Sequence, residues 1–178
     1  MTSPIKIAAT ITATQLAEAI GCDLEAVAAI LESRGEPHGP EEVIAGEVAV
    51  RVADALGIKV TIEPRDLALE YLYAHEAMGD PPKPGGRAGA LVDGVLGDLD
   101  GLDARIEAVS EHWSVSRMPI IDRNILRIAL HELETDPTIP TGVAIAEAVR
   151  LASTFSTERS ASFVNGVLSS LAREVRDN

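Results

Sequence analysis

The sequence predicts an all-α protein, with a small mainly helical module in front of a larger helical domain. Apolar residues recur at spacings of three and four through most of the chain, as they do on the buried face of a helix. Aromatic residues make up only 3% of the 178 residues, so aliphatic side chains must fill the core. Stretches rich in glycine and proline at residues 35–40 and 80–89 separate the periodic segments and mark connections between helices.

The composition is that of a folded protein with an acidic surface. Hydrophobic residues make up 46% and charged residues 24%, and the net charge is -13. Because nucleic-acid binding depends on neutralising phosphates, a chain this acidic needs a local basic patch or a basic partner to hold RNA or DNA. The single Cys22 excludes an internal disulfide, and no signal peptide or membrane-spanning run is present. We therefore expect a cytoplasmic protein.

Residues 1–62 are predicted to form the small module. Helices are expected over residues 15–20, capped by Thr12 or Thr14, and over residues 24–34, with Gly21 between them. A third helix ends near residue 56, and residues 58–62 alternate as a short strand would. The first two helices could form a helix-turn-helix, but the acidic excess of the segment argues against DNA reading.

This module resembles the small N-terminal module of bacterial translation initiation factor two. The resemblance lies in ITATQLAEAIGCDLEAVAAILESRG and EEVIAGEVAVRVADALGIKV. In that family the module is an accessory helical domain, so the resemblance implies no catalytic activity.

Residues 63–178 are predicted to form the helical domain. Its first helix should start after Pro64 and run to Met78, while residues 80–89 form a flexible connection. The later helices are expected over residues 91–109, 122–134, 143–155 and 160–175. On the first helix, the predicted buried face comprises Leu67, Ala68, Tyr71, Ala74 and Met78. Tyr73 projects onto the opposite, polar face, where it could lie flat on a neighbouring element or anchor a protein partner.

The helix DRNILRIALHELE, residues 122–134, contains one anomaly. Its apolar residues cover one broad arc, and the polar arc comprises Arg123, Asn124, Arg127, His131 and Glu134. Glu132, however, projects into the apolar arc. Because burial of an unpaired polar group costs roughly 1–3 kcal/mol in mutational data, Glu132 should have a partner or contact water.

No residue pattern indicates an enzyme, a metal site or a cofactor. The four histidines lie far apart, and the acidic residues Asp98, Asp100 and Asp103 lack the spacing of a calcium loop. For Asn165 and Gly166, which are unusual inside a helix, close helix packing is favoured over ligand contact. A binding protein remains, with candidate surface residues Tyr73, Glu132, Phe163 and the arginines Arg65, Arg123, Arg127 and Arg159.

From Arg65 onward the chain resembles the NusB family of bacterial transcription antitermination factors. The resemblance lies in RDLALEYLYAHE, LVDGVLGDLDGLDARIEAV, HWSVSRMPIIDRNILRIALHELE, IPTGVAIAEAV and FVNGVL. It implies a pair of packed helical bundles that binds NusE, a small-subunit ribosomal protein, and with it the boxA RNA of ribosomal RNA transcripts. By resemblance Tyr73 and Glu132 would contact NusE, and Phe163 would face RNA.

The chain departs from the family where RNA is held. The arginine-rich start of the family's first helix is reduced here to Arg65, whereas Arg159 stands where some members have an acidic residue. RNA binding should therefore be weakened, since each lost phosphate contact lowers affinity and salt dependence. We expect the substitution Glu132→Arg to abolish NusE binding without unfolding the protein.

Other functions stay open. The chain could be a NusB-like paralogue that binds only protein. Ribosomal RNA cytosine methyltransferases also carry a NusB-like domain, but this chain ends at Asn178 without a catalytic domain, so we do not expect an enzyme. No feature of the sequence selects an oligomeric state.

Overall fold

A computed structural model describes residues 4–79, 81–110 and 113–176. The chain divides into two compact units, Met1–Leu67 and Ala68–Asn178. The predicted all-α class is confirmed, and the domain boundary at residues 62 and 63 stays a prediction. In the part of the chain that the structure describes, no helix has the length and apolarity needed to cross a membrane.

The N-terminal unit combines three helices with short strands. These are β1 (Ile5–Ile7), β2 (Thr10–Thr12), α1 (Ala13–Ile20), α2 (Leu24–Ser33), β3 (Val43–Ala45), α3 (Gly46–Ala55) and β4 (Val60–Ile62). β1 pairs with β4 in parallel, and β2 pairs with β3 antiparallel. The sequence predicted only β4, because three-residue strands are too short to show an alternating pattern.

The first helix of this unit ends at Gly21 as predicted, but it begins at Ala13, two residues earlier than expected, with Thr12 rather than Thr14 as its cap. Thr12 forms a capping box with Gln15: the Thr12 hydroxyl oxygen accepts from the Gln15 amide at 3.1 Å, and the Gln15 side chain accepts from the Thr12 amide at 3.0 Å. Gly21 ends the helix with a φ of 68°, a conformation that favours glycine. Leu16, Val27 and Leu31 are fully buried in the core of the unit.

The second unit is helical. Its elements are α4 (Pro64–Met78), which begins in the first unit, α5 (Gly86–Gly97), α6 (Leu99–Val109), a 3-10 turn (Val115–Arg117), α7 (Ile120–Thr135), α8 (Thr141–Phe155) and α9 (Ser160–Arg176). Helix α7 packs against α5, α6, α8 and α9, so it lies at the centre of the unit. Its residues Ile125, Leu126, Ile128 and Leu130 belong to the main core.

The buried face of α4 differs from the predicted one. Ala68, Leu69 and Leu72 are buried, whereas Met78 is 79% exposed. Asp66, which the projection placed on the polar face, is 2% exposed and accepts a hydrogen bond from the Ala9 amide at 3.2 Å. Helical periodicity alone cannot show that a carboxylate will accept a hydrogen bond from a distant backbone amide. The predicted buried face of α4 was therefore wrong.

Two predicted segments also differ. The helix expected over residues 91–109 is divided at Asp98, whose φ of -133° and ψ of 36° are not helical. The connection predicted over residues 80–89 is shorter than expected, because α5 begins at Gly86; Asp80 lies outside the described residues. The proline-rich part of the connection packs against the first turn of α5. A Cβ atom added to Gly89 would lie 2.3 Å from the Pro84 carbonyl oxygen, so only glycine permits that approach.

Arg127 links α7 to two other helices through ion pairs in which the arginine is buried and its acidic partners are partly exposed. Its guanidinium donates to both carboxylate oxygens of Asp103 on α6 at 2.7 Å, and to Glu76 Oε1 on α4 at 2.6 Å. Arg123 also donates to Glu76, through Nε at 2.9 Å. Two residues of the predicted polar arc of α7 are therefore buried, since Asn124 is 0% and Arg127 5% exposed, while Arg123 and His131 are half-buried and Glu134 is exposed.

This network shifts the pKa of Glu76. Burial alone would raise the pKa of the Glu76 carboxyl, but the hydrogen bonds from Arg123 and the positive charges of Arg127 and Arg123 outweigh it and hold the pKa below its ordinary value. A lowered folded pKa stabilises the fold above the unfolded value. That stabilisation is lost as the pH falls through the folded pKa.

We predict that Glu76→Gln lowers the free energy of unfolding at pH 7 and flattens its decline between about pH 5 and pH 3. Urea unfolding at several pH values measures both effects. Glu70→Gln, on the exposed side of the same helix, serves as the matched control and should leave the profile unchanged. A Glu76→Gln profile parallel to the wild-type profile would contradict the prediction.

Candidate binding surfaces

Glu132, the anomalous carboxylate of α7, has a charged partner, as its position predicted. Glu132 is 1% exposed, and Arg87 Nη2 on α5 donates to its Oε1 at 3.1 Å. The same nitrogen lies 3.5 Å from Asp136 Oδ2. We call Arg87, Glu132 and Asp136 the arginine–acid cluster. The Arg87 side chain is 48% exposed, so it covers Glu132 and faces solvent itself.

The close packing of α5 on α7 holds this cluster together. A Cβ atom added to Gly94 would lie 2.0 Å from His131 Nε2, so the His131 ring lies directly on the α5 backbone. Hydrogen bonds from Thr138 and the charge of Arg87 lower the pKa of Asp136, which keeps this carboxylate ionised. A pocket of about 280 Å³ beside the cluster is open to solvent and lined by both helices.

Tyr73 lies on α4 and is 40% exposed, which agrees with its projection onto the polar face. Its neighbour Tyr71 turns inward and stacks on His75, with ring centroids 6.0 Å apart. Tyr73 thus presents an aromatic ring to solvent, a side chain often found at the centre of protein interfaces. Its role as a contact stays a prediction.

Arg159 and Phe163 come together at a second surface. They line a pocket of about 420 Å³ with Trp113 and Arg117, which we call the aromatic–arginine pocket. Trp113 is 57% exposed. Arg159 and Phe163 also line an adjacent open groove of about 890 Å³ along α9.

Sequence reasoning missed Trp113 and Arg117. Neither residue was among the predicted surface residues. The available signal was the single tryptophan of the chain standing four residues before an arginine in an acidic sequence. Their proximity to α9 is a tertiary contact that periodicity does not reveal.

Buried polar contacts fix both sides of this pocket. Asp122 on α7 accepts hydrogen bonds from the hydroxyls of Ser156 at 2.5 Å and Ser160 at 2.8 Å, which anchors the first turn of α9. Glu107 on α6 accepts from the Val115 amide at 2.7 Å and so holds the 3-10 turn. These hydrogen bonds hold the backbone next to the aromatic and arginine side chains.

The other predicted surface arginines are engaged elsewhere. Arg127 pairs with Glu76 and Asp103 and is buried, so its assignment to a surface was wrong, whereas the half-buried Arg123 pairs with Glu76 and its role stays a prediction. Arg65, in the N-terminal unit, is 9% exposed, and its Nη1 donates to Glu63 Oε1 at 3.2 Å. Arg65 can therefore bind phosphate only by exchanging a carboxylate partner.

The expected close packing at Gly166 was also wrong. A Cβ atom added to Gly166 would meet no atom within 4 Å, and both Asn165 and Gly166 are exposed. Glycine inside a helix costs about 1 kcal/mol relative to alanine. No packing contact offsets that cost, and Gly166 lines the groove beside Phe163.

Two of the three acidic residues that suggested calcium, Asp98 and Asp103, are ion-paired. Asp98 pairs with Arg105 at 2.6 Å, and Asp103 pairs with Arg127. Among residues 4–79, 81–110 and 113–176, no group of three or more histidine, cysteine or acidic side chains could hold a metal ion.

Comparison with known proteins agrees with this architecture. The profile of the NusB family matches residues 82–173. The chain is 38% identical over 138 residues to the transcription antitermination protein NusB of Citrifermentans bemidjiense, covering 65% of this chain and 95% of that protein. It is 40% identical over 105 residues to NusB of Heliobacterium modesticaldum, covering 59% of this chain and 51% of the relative.

Solved structures give the same result. T. maritima NusB is 31% identical with a TM-score of 0.57, covering 62% of this chain and 89% of that chain. A NusB protein solved with NusE and double-stranded RNA is 27% identical with a TM-score of 0.51, covering 62% of this chain and 94% of that one. The second unit, in which the other helices surround the ion-paired helix α7, thus belongs to a known class of α-helical domain. The chain belongs to the NusB family.

Because Glu132 is buried, we now expect Glu132→Arg to destabilise the fold, instead of abolishing NusE binding without unfolding the protein. Glu132→Arg places two guanidinium groups together in a buried site, and we predict a loss of about 3 kcal/mol in the free energy of unfolding. The double variant Arg87→Glu with Glu132→Arg restores opposite charges and should recover part of this loss.

Urea unfolding measures the effect. Glu134→Gln is the matched control because Glu134 lies two residues away on the same helix in a more exposed ion pair, and we expect a change below about 1 kcal/mol. Wild-type stability of Glu132→Arg would contradict the burial of Glu132.

Proposed function

We propose that this protein is a transcription antitermination factor that binds a NusE-type ribosomal protein and, together with it, boxA RNA of ribosomal RNA transcripts. The observation that carries the proposal is membership of the NusB family, whose relatives are named transcription antitermination proteins and include one solved with NusE and double-stranded RNA. The role requires binding alone, so no catalytic residue is assigned. Its site of action would be the bacterial cytoplasm.

The proposed contacts for the ribosomal protein are Tyr73 and Glu132. The net charge of -13 favours a basic partner, because complementary charge speeds association and makes it depend on salt. Glu132 is covered by Arg87, so a basic side chain of the partner must either displace Arg87 or bind the partly exposed Asp136 beside it. Tyr73 would supply the apolar part of the contact.

The proposed contacts for RNA are Arg159 and Phe163, with Arg65 contributing only if phosphate replaces Glu63. Few phosphates can then be neutralised by this chain alone. For two phosphate contacts to single-stranded RNA, log K should fall with log salt at a slope of about -1.4. The basic partner would provide the remaining electrostatic attraction.

The N-terminal residues 1–62 would act as an accessory module. Their resemblance to the module of initiation factor two, together with their independent hydrophobic core, supports that assignment. The alternative is that the whole chain binds only protein, which predicts that boxA RNA does not bind.

The experiment is calorimetric titration of the full chain with purified NusE-type protein, followed by titration of the complex with boxA RNA at two salt concentrations.

We predict that Tyr73→Ala weakens partner binding by about tenfold or more, since exposed aromatic anchors at interfaces contribute more than about 1 kcal/mol. Met78→Ala is the matched control, because Met78 is 79% exposed on the same helix and should change affinity less than twofold.

Two further results are decisive. Failure of the partner to bind would overturn the proposal. Partner binding without any binding of boxA RNA would support the protein-only role instead.

A further inference from the structure

We propose that Arg87 is an internal competitor, which in the free chain occupies the place that a basic side chain of the NusE-type partner takes in the complex. The lysine or arginine of the partner would displace the Arg87 guanidinium from Glu132 and enter the pocket beside the arginine–acid cluster. This inference rests on the proposed function. It adds the mode of binding at Glu132 and a role for Arg87 in setting the affinity.

The weak hold on Arg87 is the first observation. Its guanidinium reaches both carboxylates of the cluster through one nitrogen, Nη2, which lies 3.1 Å from Glu132 and 3.5 Å from Asp136. Arg127 instead binds Asp103 through two nitrogens at 2.7 Å each, and its side chain is 6% exposed where that of Arg87 is 48% exposed. Bidentate pairs are the stronger ones, and exposure to water weakens an ion pair. Arg87 is therefore the more readily exchanged guanidinium.

The position of Arg87 in its helix is the second observation. Arg87 is the second residue of α5, and the first turn of that helix, all of which the structure describes, holds no acidic residue. The N-terminal end of a helix carries a positive partial charge, so a cation there is unfavourable for the helix. Helix α5 therefore loses no electrostatic stabilisation when the Arg87 guanidinium moves away.

The negative charge around the pocket is the third observation. Glu132, Glu134 and Asp136 lie in or just after the last turn of α7, where the helix end itself carries a negative partial charge. Arg105 pairs with Glu134, whereas the side chain of Asp136 is 30% exposed and lies at the limit of contact with Arg87. The pocket therefore favours a cation, and Asp136 can bind either the incoming or the departing one.

The walls of the pocket fit the stem of a basic side chain. Ala90 and Leu91 line the pocket of about 280 Å³ next to Glu132 and Asp136. Lysine and arginine bury their methylene groups along apolar surface while the charged head stays with polar groups. Because Glu132 is 1% exposed, an apolar side chain in place of Arg87 would remove a cation from a buried carboxylate, whereas lysine or arginine would replace it. The exchange thus selects a basic partner.

The first test asks whether the cluster accepts an external cation. The full-length Arg87→Ala variant is unfolded thermally in ethylguanidinium chloride and in sodium chloride at the same concentration. We expect ethylguanidinium to raise the Tm of Arg87→Ala, relative to sodium chloride, by more than it raises that of the wild type, since a cation that binds the native state stabilises it. Equal responses of the two proteins would overturn the inference.

Arg105→Ala is the matched control for this test. The Arg105 side chain is 40% exposed, similar to that of Arg87, but its partner Asp98 is 56% exposed, whereas Glu132 is buried. Ethylguanidinium should therefore raise the Tm of Arg105→Ala no more than that of the wild type.

The second test measures the affinity of the full chain for a NusE-type protein by calorimetry. Arg87→Gln removes the competing charge, and we expect it to lower the Kd by about threefold or more, because a larger fraction of molecules is then ready to bind. Arg87→Lys keeps a competing cation and should stay near the wild type. Arg105→Gln should change the Kd less than about twofold.

The outcomes separate this inference from the proposed function. Weaker or unchanged partner binding by Arg87→Gln overturns the competitor and leaves the function standing, since Arg87 would then hold the partner or not meet it. If no NusE-type protein binds the wild type or any variant, the proposed function fails and the competitor loses its partner. The response to ethylguanidinium stays readable in that case and decides by itself whether Glu132 exchanges one cation for another.

Discussion

The guanidinium of Arg127 is the contact on which the second unit depends. It is 5% exposed and joins α7 to Asp103 of α6 and Glu76 of α4. A buried cation is tolerated only while its acidic partners stay in place, since removing one partner leaves an uncompensated charge. This requirement fixes the rotation of α7 about its axis and therefore the directions in which its other side chains point.

Both candidate surfaces follow from that rotation. Near the start of α7, Asp122 holds the first turn of α9 and thereby the aromatic–arginine pocket. Near its end, Glu132 receives Arg87 and forms the arginine–acid cluster. Residues 122 and 132 are separated by about 15 Å along a helix. One central helix thus supports both the arginine–acid cluster and the aromatic–arginine pocket, in a chain whose overall charge is acidic.

The sequence was sufficient for features that depend on local pattern. Helical spacing found α7 and identified Glu132 as a carboxylate in an apolar arc, and the Thr12 cap was readable from its neighbours. Features that depend on distant residues were not readable. Arg127 looked solvent-exposed because its acidic partners lie 24 and 51 residues away, and Trp113 and Phe163, which line one pocket, are 50 residues apart in the sequence.

Amide hydrogen exchange tests most directly whether α7 supports two separate binding surfaces. Exchange would be compared in the free chain, with a NusE-type protein, and with that protein and boxA RNA. We expect the protein to protect α4 around Tyr73 and the facing parts of α5 and α7 near Glu132, and the RNA to add protection at residues 113–117 and at the start of α9. Protection by both ligands confined to residues 1–62 would contradict the account.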